Sequence, residues 1–152
     1  MKKPTHDPGT FVRIPLADGS FGYGRLVGAP RIALYNYRTT EPIDDIDVIE
    51  TKPVLFTVAV KTSGLKKWQK IGAKPLRGEV AKPVVMFTQD EADFRKCVIF
   101  DDAGMEKRVG PEACVGLEQS AVWDPHHIEG RLLDTFMGRP NAVQEFMRVR
   151  LK

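Results

Sequence analysis

The chain has 152 residues, of which 42% are apolar and 28% charged, and its formal net charge is +3 at pH 7. This length and composition predict one globular domain over residues 1–152, in which residues 1–9 form a loose lead-in. No apolar run approaches the roughly 20 residues that a membrane-spanning helix needs, so we expect no membrane insertion. The small net charge argues against a dedicated nucleic-acid binder. Two cysteines are too few for a disulfide framework and indicate a reducing, cytoplasmic environment.

The first predicted element is a β-hairpin over residues 10–28. Alternating apolar residues flank a turn at Asp18 and Gly19, and Asp-Gly is a dipeptide typical of tight hairpins. Gly22 and Gly24 leave one face of the second strand without side chains, which predicts the close approach of another element. Because no phosphate-binding helix follows the hairpin, we expect that element to be another strand or the C-terminal helix.

A third strand is predicted over residues 31–38. Its alternation places Tyr35 and Tyr37 on one face, and the same alternation places Tyr23 and Arg25 together on the preceding strand. If both faces point the same way, these side chains form an aromatic patch of the kind that anchors protein partners. The alternative is that the rings form the core beneath the C-terminal helices.

An acidic connection follows over residues 39–47, ending in a short strand at 48–49. Asp44, Asp45 and Asp47 do not form an EF-hand, because the glycine and the distal glutamate of that loop are absent. We predict an exposed loop. Its negative charge makes it a second candidate partner surface, since carboxylates can mimic phosphates in the basic cleft of a nuclease.

In the middle of the chain, a predicted buried strand is followed by a basic segment. Residues 53–60 are continuously apolar, which predicts a strand buried on both faces in the middle of the sheet. Residues 61–74 contain five lysines around Trp68 and predict a helical turn followed by a strand at 68–71. Lys67 and Trp68 are candidate contacts for a nucleic-acid backbone and base. Alternatively, Trp68 points into the core and the lysines keep an edge strand soluble.

The last third of the chain changes from strand to helix periodicity. Strands are predicted at 83–88 and 97–101, with a last strand or ordered arm at 115–122. A helix is predicted to begin at Asp124-Pro125 and end at Gly138, and a second to begin at Pro140. The order of signals predicts an α+β fold: a twisted, mostly antiparallel sheet of about six to eight strands with two C-terminal helices packed on one face.

The sequence carries no convincing catalytic motif. A nucleotide-binding loop, a nucleophile elbow and a Cys-x-x-Cys pair are all missing. Cys114 would need His126 or His127 as a base to act as a nucleophile. The two histidines are adjacent on a helix and point about 100° apart, so they do not chelate one ion; His126 with Glu129 makes only a two-ligand pair. We therefore predict a binding protein that is not an enzyme and uses no cofactor or metal.

Four segments in order resemble the immunity protein 26 family of bacterial polymorphic toxin systems. They are FVRIPLADGSFGYGRLVG, PVLFTVAV, WQKIGAKPL and GLEQSAVWDPHHIEGRL. The resemblance spans most of the chain and rests on the order and spacing of the segments, since no single one is highly specific. The family has no catalytic motif to transfer.

The resemblance implies a cytoplasmic protein encoded beside a toxin gene. Its partner would be the cognate toxin domain, with a nuclease among the candidates, which it would neutralise by direct, non-catalytic binding. The alternative function is a small β-rich nucleic-acid-binding domain that uses residues 61–74.

Overall fold

Two β-sheets and three α-helices make up the described part of the chain, which is residues 7–28 and 30–152 of a computed structural model. The strands are β1 Thr10–Pro15, β2 Phe21–Gly28, β3 Arg31–Tyr35, β4 Val54–Val60, β5 Gln69–Ala73, β6 Met86–Gln89, β7 Cys97–Phe100, β8 Glu106–Val109, β9 Glu118–Gln119 and β10 Val122–Trp123. The helices are α1 Ile46–Glu50, α2 Pro125–Met137 and α3 Ala142–Phe146, and 3₁₀ turns lie at Thr62–Lys67, Gly78–Ala81 and Pro111–Cys114. Of the predicted lead-in, residues 1–6 lie outside the described residues, and 7–9 form neither helix nor strand.

The larger sheet has the strand order β10-β4-β3-β2-β1-β5, and the smaller sheet has the order β8-β7-β6-β9. All neighbouring strands are antiparallel except β10 with β4 and β6 with β9. The predicted α+β class with mostly antiparallel strands is confirmed. The described residues form ten strands in two sheets, whereas the sequence predicted one sheet of about six to eight. The division follows from residues 74–85, which contain Pro75 and Pro83 and form no strand, so the later strands pair with one another.

β1 and β2 form the predicted hairpin. Gly19 in its turn has a φ of 85°, a conformation that glycine adopts without strain. On the bare face of β2, a Cβ at Gly22 would lie 3.1 Å from Cδ1 of Leu132 in α2. A Cβ at Gly24 would lie 2.9 Å from Cδ1 of Ile32 in β3. The prediction that a strand or the C-terminal helix approaches this face is confirmed, and both elements do so.

The helix α2 covers the glycine side of the larger sheet. The Asp124 carboxylate accepts a backbone N–H of the first turn at 2.9 Å, and Pro125 occupies the first helical position. Gly138 ends the helix with a φ of 69°. Both predicted ends are therefore confirmed. The buried Ile128 and Leu132 pack among apolar side chains of β1 to β4, which form one hydrophobic core.

The helix α1 stands where the sequence predicted a short strand at 48–49. The Asp45 carboxylate accepts the backbone N–H groups of Asp47 and Val48, at 3.1 and 3.3 Å, and this capping favours a helix over a strand. Ile49 is fully buried in an aromatic core on the side of the sheet opposite α2. The expected strand was wrong because the capping aspartate outweighs two β-branched residues.

Predictions for the middle of the sheet are confirmed with one difference. β4 lies between β3 and β10, but Phe56, Val58 and Val60 are buried while the residues between them are only partly buried. One face of β4 is thus fully covered, not two.

β5 follows a 3₁₀ turn and forms a sheet edge, as expected for residues 61–74. β8 was not predicted because Glu106, Lys107 and Arg108 are exposed and give no apolar alternation.

Candidate partner-binding surface

The predicted aromatic patch lies inside the protein. Tyr23, Arg25 and Tyr35 are each 1% exposed or less, and Tyr37 is half-buried with its ring 5.4 Å from the Tyr23 ring. These side chains share one side of the sheet, so the two strand faces do point the same way. They form a core, but it lies beneath α1 and the segment before it, not beneath the C-terminal helices. The alternation of β2 explains this, because Gly22, Gly24 and Leu26 take the side of the sheet that α2 covers.

Among the described residues, Arg25 is the one fully buried charged side chain on that side of the sheet. Its guanidinium donates to Glu50 Oε2 at 3.1 Å and to the carbonyl oxygens of Lys74 and Pro75 at 3.1 and 2.9 Å. It also stacks on the Phe11 ring, 4.5 Å from the centroid. Arg25 therefore joins β2 to α1 and to the segment after β5. Its Nε is buried without a hydrogen-bond partner among the described residues.

Two buried tyrosines of this core differ in how their hydroxyls are bonded. The Tyr23 hydroxyl lies 2.6 Å from Thr39 Oγ1 and accepts the Ile43 N–H at 3.2 Å. The Tyr35 hydroxyl is buried with no partner within the described ranges. A buried polar group without a partner costs stability, so its retention points to a role other than packing.

Tyr35 and Arg25 both line a cleft of about 660 Å³. The cleft opens between the end of α1 and residues 74–80, and its other charged lining residues are Glu50, Lys52, Lys74, Arg77 and Glu79. The Lys74 ammonium pairs with Asp47 and, at 3.3 Å, with Glu50. These contacts, first the hydrogen bond that Lys74 donates to Asp47, raise the pKa of Lys74. Lys74 is therefore held as a cation at the rim.

Sequence reasoning did not single out this cleft, because it joins residues that are distant along the chain. One signal was present. The dipeptide Lys-Pro occurs at 3–4, 52–53, 74–75 and 82–83, and the second and third copies line the cleft. Proline stiffens the chain and fixes the direction in which the preceding lysine leaves it.

The acidic segment is exposed, as expected. Asp44 and Asp45 are exposed, and Asp47 is 76% exposed while pairing with Lys74. Asp45 also caps α1, so its carboxylate has a structural task besides its charge. The three carboxylates lie together before and within the first turn of α1, beside the cleft.

The basic segment offers no aromatic ring to a nucleic-acid base. Trp68 is 3% exposed, and its indole Nε1 donates to Glu129 Oε2 at 2.9 Å. Lys67 is half-exposed and pairs with the same carboxylate at 3.5 Å. The alternative in which Trp68 enters the core beside an edge strand is therefore the one that the fold adopts.

Cys114 has a cysteine beside it instead of a histidine. Both Cys97 and Cys114 are free and buried in the core of the smaller sheet, whose described members include no histidine. Burial and the neighbouring Cys97 raise the pKa of Cys114 to about 11. A protonated, buried thiol is a poor nucleophile. His126 and His127 are exposed on α2, and the described residues contain no group of three or more side chains able to hold a metal ion.

Comparison with known families gives one result. Residues 7–98, which are 92 of the 152, match the family Immunity protein 26. The chain therefore belongs to the Immunity protein 26 family. No curated protein and no solved structure matches it. The matched region contains the acidic segment and every lining residue of the cleft. In the described ranges, no helix is long and apolar enough to cross a membrane.

Proposed function

We propose that this protein neutralises a cognate toxin of a bacterial polymorphic toxin system by binding it directly, without catalysis. Membership of the Immunity protein 26 family is the observation that carries the proposal. The protein would act in the cytoplasm of the cell that makes the toxin. Its partner is the toxin domain encoded by the neighbouring gene.

We also propose that the whole chain acts as one immunity domain. The family match ends within β7, but the smaller sheet is tied to the larger one through α2. Arg131 of α2 donates two hydrogen bonds to the Glu118 carboxylate of β9, at 2.8 and 2.9 Å. The guanidinium also lies 3.6 Å from the centroid of the Phe56 ring in β4. This arrangement supports one cooperative unit.

The acidic segment is the first candidate for contact with the toxin. Asp44 and Asp45 are exposed and have no cation paired with them in the described parts of the chain, whereas Lys74 offsets Asp47. If the toxin is a nuclease, its substrate cleft is basic, and exposed carboxylates would raise the association rate and block that cleft.

The test is a pair of charge-reversed variants measured against the neighbouring toxin. Asp44→Lys with Asp47→Lys should weaken binding at least tenfold in calorimetry and abolish protection of cells that express the toxin. Asp45 is left in place because it caps α1. The matched control is Glu91→Lys with Glu106→Lys, which changes the net charge equally at exposed positions after β6 and on β8. Equal loss in both variants, or no loss in either, would remove the acidic segment from the interface.

The immunity function itself is tested with the wild-type protein. Co-expression with the neighbouring toxin should restore growth, and the two proteins should copurify. Growth arrest despite a folded protein would overturn the immunity function. A gel shift with generic RNA and DNA at low salt tests the rival nucleic-acid function, and we expect no shift.

A further inference from the structure

The cleft beside α1 holds polar groups that the fold itself leaves without partners. We infer that this cleft receives an acidic side chain of the partner, an aspartate or glutamate on a segment with apolar neighbours. The identity of that partner as the toxin rests on the proposed function. The presence of a carboxylate-binding cleft does not.

The first support comes from the floor of the cleft. Tyr35 is 1% exposed, lines the cleft and has a buried hydroxyl with no hydrogen-bond partner in the described ranges. Tyr23 in the same core has its hydroxyl fully engaged. A phenylalanine would fill the Tyr35 site at less cost unless the hydroxyl met an acceptor at some stage of function. An incoming carboxylate supplies that acceptor.

The second support is the charge of the walls. Four cationic side chains line the cleft against two carboxylates, Glu50 and Glu79. Glu50 is shared by Arg25 and Lys74, and Glu79 pairs with Lys82 outside the lining. Lys52 and Arg77 form no ion pair with any described residue, and the Lys52 ammonium lies 4.7 Å from the centroid of the Tyr37 ring. The cleft thus presents a net positive wall with two uncompensated cations.

The remaining lining distinguishes an acidic side chain from a free anion such as phosphate. Pro53, Val54, Pro75 and Val80 line the same cleft, and Val54 is 37% exposed. A phosphate needs hydrogen-bond donors on several sides and gains nothing from apolar walls. A peptide segment that presents one carboxylate between apolar residues uses both kinds of lining. The volume of about 660 Å³ is ample for several side chains.

Binding to the neighbouring toxin tests the inference with a matched pair of variants. Lys52→Glu with Arg77→Glu should raise Kd at least tenfold and flatten its salt dependence, because two cations that meet a carboxylate are lost. The control, Lys107→Glu with Arg108→Glu on the exposed strand β8, makes the same change in net charge. It should change Kd less than threefold. Equal weakening by both would show a general charge effect and overturn the inference.

Tyr35→Phe tests the contribution of the Tyr35 hydroxyl to binding independently of the charged side chains. It removes one oxygen that has no partner in the free protein, so the melting temperature should not fall. Binding to the toxin should weaken about three- to tenfold, since a hydrogen bond made only in the complex is lost. Unchanged Kd with unchanged stability would exclude the hydroxyl from the site.

A second measurement does not need the toxin. Titration of ¹⁵N-labelled protein with N-acetylglutamate should shift the amide signals of residues 52–54 and 74–80, with N-acetylglutamine, which lacks the side-chain carboxylate, as the control. The shifts should vanish in the Lys52→Glu, Arg77→Glu variant. A stronger response to inorganic phosphate than to N-acetylglutamate, or no localised response, would overturn the carboxylate site. If the toxin does not bind wild-type protein, the proposed function fails while this titration still decides the nature of the cleft.

Discussion

The two sides of the larger sheet are built differently. The side under α2 is mainly apolar: Leu132 approaches Gly22, Ile32 approaches Gly24, and Arg131 is the buried charged side chain among the described residues there. The side under α1 buries a guanidinium and two tyrosine hydroxyls, and a cleft opens at its margin. On the α2 side, both terminal nitrogens of the Arg131 guanidinium donate to the Glu118 carboxylate, whereas the α1 side keeps a buried tyrosine hydroxyl without a partner in the described residues. We propose that the α2 side serves packing and that the margin of α1 serves recognition.

The largest expected effect is on the α2 side. Leu132→Ala deletes a fully buried side chain that fills the space left open at Gly22. We expect the free energy of unfolding in urea to fall by about 2–5 kcal/mol. Met137→Ala on the same helix removes a side chain that is 44% exposed and should cost less than about 1 kcal/mol. Similar losses for both would contradict a tightly packed α2 interface.

The smaller sheet supplies a third core with which both sides can be compared, and its stability should depend on pH. The raised pKa of Cys114, about 11 against an ordinary value near 9, means that the unfolded chain loses this proton first. The contribution of the protonated Cys114 thiol to the free energy of unfolding is therefore fully present below pH 9 and is lost as pH rises from 9 to 11. At about 1.4 kcal/mol per pKa unit the loss approaches about 3 kcal/mol.

The measurement is urea unfolding at several pH values between 8 and 11. Cys114→Ala lacks the thiol, so its stability should fall less steeply over that range than the stability of the wild type. Parallel slopes for the two proteins would show that the thiol ionises as easily in the folded chain as in the unfolded one.

The contact between the two sheets should be intermediate in strength. Glu118→Gln leaves the Arg131 guanidinium, 3% exposed, without its charged partner. Because Glu118 itself is 27% exposed, water offsets part of the loss, and we expect about 2 kcal/mol. Glu145→Gln breaks an exposed pair with Arg148 and should cost less than about 0.5 kcal/mol. Thermal unfolding of both variants checks the difference.

The smallest effects should come from the two tyrosines under α1, and their difference is the informative quantity. Tyr23→Phe leaves the Ile43 N–H without its partner and removes one of the two hydrogen bonds of the Thr39 hydroxyl, so it should cost about 1–2 kcal/mol. Tyr35→Phe strands nothing in the described parts of the chain and should leave the free energy of unfolding unchanged or slightly higher. Equal losses in urea would mean that the Tyr35 hydroxyl is bonded in solution, and the contrast between the two sides of the sheet would weaken.

Local rules of sequence predicted much of this fold. The Asp-Gly turn, the capping Asp124 and the terminating Gly138 act through their own backbone neighbourhood, so they identify the hairpin and α2 directly. The bare face at Gly22 and Gly24 even predicted what would approach it. Strand β8 and the division into two sheets were missed, because exposed strands carry no apolar alternation and pairing partners are chosen by the whole chain.

The candidate site was less accessible to sequence reasoning. Alternation grouped Tyr23 with Arg25 and Tyr35 with Tyr37 on their own strands, but it left open whether both groups face the same side. It also did not reveal that α1 covers them, since a five-residue helix leaves a weak pattern. The cleft arises where α1 meets residues 74–80, a contact that depends on Arg25 reaching two backbone carbonyls. Such a long-range contact has no local signature.

An activity titration tests most directly whether this protein inhibits the toxin by direct, non-catalytic binding. A fixed amount of the neighbouring toxin is mixed with increasing amounts of this protein, and residual toxin activity is measured after short and long incubation. We predict that activity falls linearly to zero near one equivalent and that the titration does not change with incubation time. Progressive inactivation of the toxin at far less than one equivalent would show catalysis, and full activity at excess protein would show that the toxin is not its partner.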